Sequence, residues 1–299
     1  MATMEQEFRY INPLTDFGFK RIFGDEEIMM SFLNDVIMKE AKIQSLTFLD
    51  KEMTPETKYE RGIVYDMRCQ LDNGEEVIIE MQNKGQDYFT DRINYYMARA
   101  ISRQGARGDN DWKFELHPVY GVYFMNFFLK DKKPQPIRHI VMQDDVTHEL
   151  FTEKWQTWLI ELPNYRKMKE EDCKTNTDCW LYTMTHMETM RTSIPFQQKM
   201  PVFHKLENIA DMAVLTDEER DYYHISLDSY RTNMAVMEHE RNEGREEGFA
   251  QGRAKGRAEG QMERNLTIVL NAKAMGMDAA TAAKLTGLSV EEVEKLWND

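Results

Sequence analysis

Two strand-like runs, GIVYDMRCQL (62–71) and EEVIIEMQ (75–82), are separated only by Asp72, Asn73 and Gly74. A chain written this way folds back on itself as a β-hairpin. The loop then decides which side chains share a face, because slipping the pairing by one residue turns every side chain over. A two-residue Asn73-Gly74 turn would set Asp66 opposite Met81 and send Asp66 and Glu80 to opposite sides of the sheet. A three-residue loop with Gly74 in the left-handed position pairs Leu71 with Glu75 and brings Asp66 directly opposite Glu80. The glycine stands where that loop needs it, so the second register is the expectation, a bulge elsewhere being the one feature that would change it.

Alternation along the strands predicts an apolar face of Val77, Ile79 and Met81 with Ile63, Tyr65, Met67 and Cys69. The opposite, polar face carries Asp66, Arg68, Glu80 and Gln82. Side chains directly opposed across a hairpin have Cβ atoms about 4.5–5.5 Å apart, close enough for two carboxylates to hold one hard cation, with Mg²⁺ or Mn²⁺ the natural occupant. Such an ion would polarise a phosphodiester and help to generate hydroxide from water. The plainer reading is a half-exposed hairpin whose acids keep it soluble, and spacing alone does not choose between the two.

Upstream, NPLTDFGFKRIFG reads as a helix capped by Thr15 and ended by Gly24. Phe19, Ile22 and Phe23 share one of its faces. A second helix presents Ile28, Phe32, Leu33, Val36 and Ile37. Strands are expected in IQSLTFLD, PVYGVYFMNFFL, IRHIVMQD and TWLIEL, with a helix in DYFTDRINYYMARAISRQ. Helices, a hairpin, a helix and further strands predict an α/β sheet with helices on both faces. From about Asp178 onward the pattern is helical, with Met184, Met187, Met190, Met212, Met234 and Met237 as core filling. Gly244, Gly248, Gly252, Gly256 and Gly260 then recur every four residues, as either a helix face open to close approach or a pliable charged linker. The last segment has the cadence of a small helix-turn-helix unit, with Gly287 at its turn and Ser289 capping the final helix. That helix carries Glu291, Glu292, Glu294 and Asp299 against Lys295, which suits packing or dimerisation better than a DNA groove. The expected division is 1–175 for the core, 176–240 for a helical extension, 241–264 for the glycine repeat and 265–299 for the terminal unit.

A net charge of −14 argues against an extended basic surface wrapping nucleic acid. It leaves room for local patches such as Arg92, Arg99, Arg103 and Arg107, or Lys130, Lys132 and Lys133, whose plainer reading is a solvated face. Three cysteines without a CxxC pair, and seven histidines without an HExxH, point away from a disulfide framework and from zinc-hydrolase chemistry. No apolar run approaches a bilayer span, and MATMEQEFRY has neither the basic start nor the apolar centre of a signal peptide, so a cytoplasmic protein is expected.

Taken together, NPLTDFGFKRIFG, SFLNDVI, YDMRCQLDNGEEVIIEMQ and FTDRINYYMAR resemble the recombination-promoting nuclease/putative transposase family of the PD-(D/E)XK (restriction-endonuclease-like) superfamily. The resemblance implies a mixed central sheet flanked by helices, a helical C-terminal extension and a metal-dependent DNA endonuclease. It makes Asp66 and Glu80 metal ligands and puts Gln82 where most of the superfamily has lysine. A neutral amide replaces a positive charge there. Lys84, two residues on along the same face, is one substitute. Asp16 is a further acid that related nucleases bring toward the metals, or simply an acid favouring a helix N-terminus. Arg92, in the R-x-x-YY pattern, is placed to reach a phosphate.

The function expected is therefore Mg²⁺- or Mn²⁺-dependent DNA cleavage by Asp66, Glu80 and Gln82. A homodimer is expected because two strands need two cuts. No membrane association and no small-molecule organic cofactor are expected. The alternatives are a catalytically silent DNA- or protein-binding module on the same scaffold, or an interaction protein acting through its helical tail.

Overall fold

The structure is a computed structural model and describes residues 8–38, 42–53, 62–105, 113, 115–130 and 132–298. Arg107 and Asp299 lie outside the described residues. Contacts divide the chain into two units, Met1–Met234 and Ala235–Asp299.

The first unit is built on a six-stranded mixed sheet in the order β1-β4-β5-β6-β8-β7. β1 (Leu46–Phe48), β4 (Met67–Leu71) and β5 (Glu76–Gln82) form an antiparallel meander on one side. β6 (Val119–Met125) is parallel to both β5 and β8 (Leu150–Glu161), and β7 (Ile137–Gln143) closes the other edge antiparallel to β8. The parallel step from β5 to β6 needs a crossover, which α3 (Phe89–Ser102) provides. A separate two-stranded ladder joins β2 (Glu52–Met53) to β3 (Ile63–Val64).

Helices cover both faces of the sheet. On one lie α1 (Asp16–Phe23), α2 (Glu26–Val36), α4 (Asn176–His186), α5 (Val202–Ala210) and the first turns of α6 (Asp217–Ala274), sharing one apolar core with Val77, Ile79 and Phe124. α4, α5 and the start of α6 thus complete the same core as the sheet. On the other face α3 packs Phe89, Ile93 and Met97 against Ile78, Tyr123 and Leu159.

Thr15 caps α1 by accepting from the Gly18 N–H at 3.0 Å, and Gly24 ends it. The hairpin has the expected register: Leu71 N–H donates to the Glu75 carbonyl, Met67 pairs with Ile79, and Gly74 sits at φ +85°. Alanine there would carry the cost of a left-handed backbone, about 1–2 kcal/mol, while the His117 ring, 2.8 Å from the added Cβ, is exposed and free to swing away. Gly74→Ala should therefore lower stability by about 1 kcal/mol in urea titration. An unchanged midpoint would contradict the loop geometry.

One expectation about the hairpin needs correcting. It predicted one apolar and one polar face, but β5 is buried on both, with Ile78 under α3. Ile63 and Tyr65 also leave the face of Met67 and Cys69, because the chain bends at Asp66 and carries Tyr65 to the α3 side. The Tyr65 hydroxyl donates there to the Tyr96 carbonyl at 3.1 Å.

α6 is one helix of 58 residues. Gly244, Gly248, Gly252, Gly256 and Gly260 are helical within it, and a Cβ on any of them would meet nothing within 4 Å. In the second unit α7 (Ala279–Thr286) ends at Gly287, φ +74°, and α8 (Val290–Asn298) begins with Ser289 and Glu292 capping each other. Val269, Ala272, Ala282, Ala283 and Val293 form its small core. All three cysteines are free, and no described helix is long and apolar enough to cross a membrane.

Candidate active site

Asp66 and Glu80 meet where the hairpin ladder ends. Asp66 donates its N–H to Glu80 Oε1 at 3.1 Å, and Met81 donates its own N–H to Asp66 Oδ2 at 2.8 Å. The Glu80 carboxylate therefore braces the Asp66 backbone, and the Asp66 carboxylate braces that of Met81. Glu80 is 3% exposed and Asp66 half-buried. Burial first, and the neighbouring Asp66 charge second, push the Glu80 carboxyl up to about 8. Burial likewise raises Asp66, opposed by the Met81 hydrogen bond and then by Lys20. Two acids kept out of water side by side favour a cation between them.

One basic side chain contacts the pair from α3, and a second acts on it electrostatically from α1. Arg92 of α3 reaches Glu80 Oε2 at 3.2 Å and Gln82 Oε1 at 3.3 Å, and Gln82 in turn donates to the Lys84 carbonyl at 2.9 Å. Gln82 is thus engaged at both ends of its amide, holding Arg92 beside Glu80. On the other side Lys20 of α1 is ion-paired with Asp16, one helical turn back, at 2.5 Å. Its charge is felt by both Asp66 and Glu80. Tyr123, opposite Glu80 on β6, has a buried hydroxyl without a hydrogen-bond partner among the described residues.

α1 is locked beside these acids. Asn83, just past β5, donates from Nδ2 to the Leu14 carbonyl at 2.8 Å, while Phe17 N–H donates to Ser226 Oγ of α6 at 3.1 Å. Asn126 donates to Asn83 at 3.1 Å and to the Tyr230 hydroxyl at 3.3 Å, extending the support to α6. Between α1, Asn83 and α6 lies an open cleft of about 300 Å³ walled by polar groups that include Asp16, Tyr222, Ser229 and Asn233.

Among the described residues no three acid, histidine or cysteine side chains converge on one point. Asp66 and Glu80 are the two carboxylates that meet here. That set fits Mg²⁺, which is commonly held by one or two carboxylates and completes its octahedron with water and substrate phosphate. Lys130, from the second basic cluster of the sequence, pairs at the surface with Asp87 at 3.2 Å, a contact of little energetic weight.

Of the residues singled out in the sequence, Asp66, Glu80, Gln82 and Arg92 come together directly, with Asp16 at the cleft mouth. Lys20 was missed. Its only signal was the four-residue spacing from Asp16 on a predicted helix, a spacing that by itself means an ordinary surface pair.

A mixed sheet sandwiched by helices, with Asp66 and Glu80 meeting just beyond the last β4–β5 pair, is an α/β architecture that fits a nuclease-like class of protein. The chain belongs to the family described as PD-(D/E)XK nuclease family transposase, whose model matches residues 13–240, more than half of its length. Nucleases of this kind generally use divalent metal ions and act on DNA, and a nuclease-like function in general terms follows for this chain. Comparison with curated proteins and with solved structures found no match.

Proposed function

We propose that the protein is a metal-dependent endodeoxyribonuclease, with Asp66 and Glu80 holding Mg²⁺ or Mn²⁺. The observation that carries this reading is the close approach of two carboxylates, a buried Glu80 accepting the Asp66 backbone N–H and Asp66 accepting the Met81 N–H, which stability alone does not favour. A bound divalent ion would polarise a phosphodiester oxygen and acidify a nearby water. The chain's own residues do the rest. Gln82 keeps Arg92 beside the acids, from where the guanidinium can transfer to a phosphate oxygen by the two-pronged geometry it already uses. The polar cleft beside Asp16 gives one DNA strand hydroxyl and amide partners without sequence demand. Since one site cuts one strand, the working form is proposed to be a homodimer.

Supercoiled plasmid incubated with Mg²⁺ or Mn²⁺ tests this reading. Native protein is expected to nick and linearise it, and Asp66→Ala protein purified identically is expected to fall to background. Equal cutting by both preparations would mean a contaminating nuclease and would remove the assignment. A second reading, a DNA- or protein-binding module without chemistry, is favoured by the neutral Gln82. Metal binding that depends on Asp66 without any cleavage would support it.

A further inference from the structure

The proposed site lacks a positive charge where Gln82 stands, and Gln82 is fully engaged with Arg92 and the Lys84 carbonyl. Arg92 approaches the pair, and any phosphate bound there, from the α3 side only, where it contacts Glu80. The opposite side of the acidic pair is bordered by α1, whose position follows from packing. Phe19 and Phe23 lie 5.3 and 5.6 Å from the Phe124 ring. Phe124 is the register partner of Met81, the residue whose N–H binds Asp66. α1 thus crosses the sheet at the level of the acids. Lys20 follows Phe19 on this helix and is about one-third exposed, and its ammonium is held 2.5 Å from Asp16 at the mouth of the cleft.

We infer that Lys20, reaching in from α1, is the catalytic cation of this site and occupies in space the role that Gln82 does not fill from β5. This inference rests on the nuclease reading and specifies which residue meets the phosphate from the α1 side, opposite Arg92. In the step concerned, a water oxygen forms a bond to phosphorus and the bond from phosphorus to the departing sugar oxygen breaks. One proton leaves the water and one joins the departing oxygen. Lys20 keeps its proton throughout and neutralises the charge that accumulates on the non-bridging oxygens, a stabilisation absent from the ground state to the same degree. Asp16 is a positioning residue, fixing the long and otherwise mobile lysine stem.

Single-turnover cleavage by native, Lys20→Met, Lys20→Arg and Lys84→Met proteins tests the inference, together with DNA binding in non-cleaving Ca²⁺, Mn²⁺ binding by electron paramagnetic resonance, and melting temperature. Lys20→Met is expected to slow the chemical step about a hundredfold, with DNA affinity, Mn²⁺ affinity and melting essentially unchanged. Lys20→Arg is expected to restore part of the rate. A Lys20→Met protein that cuts as fast as native overturns the inference, as does one whose lost rate is matched by lost Mn²⁺ binding or melting, or a loss that falls on Lys84→Met instead. If native protein itself does not cut, the nuclease reading fails first and this inference fails with it.

Discussion

Metal-free Glu80→Gln protein should melt several degrees above native protein at pH 8 and close to it at pH 4.5, while losing all metal-dependent cleavage. The sign follows from the raised acidity constant. In the unfolded chain Glu80 ionises near its ordinary value of 4.5, and in the fold near 8, because burial and then the Asp66 charge disfavour its anion. Between those two values the folded state holds the extra proton. The contribution of Glu80 to stability is therefore complete below about pH 4.5 and is progressively lost as pH rises through 8. Glutamine cannot ionise and escapes that loss.

The full shift corresponds to roughly 4 kcal/mol at pH 8, and a net gain of about 1–2 kcal/mol after glutamine gives up the Arg92 ion pair would raise the melting temperature by about 2–8 °C. Mn²⁺ should reverse the order. At a hundredfold excess over its dissociation constant it would stabilise native protein by about 2.7 kcal/mol and leave Glu80→Gln unmoved. Calorimetry between pH 4.5 and 9, with and without Mn²⁺, checks both halves. A melting difference independent of pH would show that Glu80 is not held protonated by the fold, and equal stabilisation of the two proteins by Mn²⁺ would remove Glu80 as a ligand.

Phe124→Ala should cost about 3–5 kcal/mol, a large share of the roughly 5–15 kcal/mol that holds a typical domain together. Phe124 is completely buried on β6, with Phe19, Phe23 and Phe32 all within 5.6 Å, centroid to centroid. The cluster continues from Phe32 to Trp180 at 5.7 Å and from Trp180 to Phe203 at 4.7 Å, so one side chain ties β6 to α1 and α2 and through them to α4 and α5. The cavity left by alanine would loosen α1 in particular, and with it Asp16 and Lys20. Urea unfolding followed by tryptophan fluorescence gives the loss, and Phe124→Leu should cost much less because it refills most of the volume. A loss below about 1 kcal/mol for alanine would mean that the helices are anchored elsewhere.

The hairpin was legible because its information is local. A left-handed glycine at the third loop position fixes the pairing from Leu71–Glu75 as far as Met67–Ile79, which brings Asp66 to the end of the ladder next to Glu80. The caps at Thr15 and Ser289 and the turn at Gly287 were readable for the same reason, since each is satisfied within a few residues. The family resemblance rested on the same short segments. The glycine repeat was less decisive: its backbone hydrogen bonds continue as helix, but what its bare strip meets depends on partners outside its own sequence.

Tertiary structure decided the rest. That Ile78 lies under α3, and that the chain bends at Asp66 so that Tyr65 joins it there, follows from the crossover helix landing on the face that alternation marked as polar. The electrostatics of the site are equally non-local. Lys20 lies 46 positions before Asp66 and Arg92 lies 12 after Glu80, and neither separation carries a periodicity that would announce contact. The sequence alone determined the hairpin register that carries Asp66 and Glu80 to the same end of the ladder. Only the packing of α1 and α3 on opposite sides of the sheet determined which cations stand beside them, because a charge acts through distance in space and burial, and both are products of the completed fold.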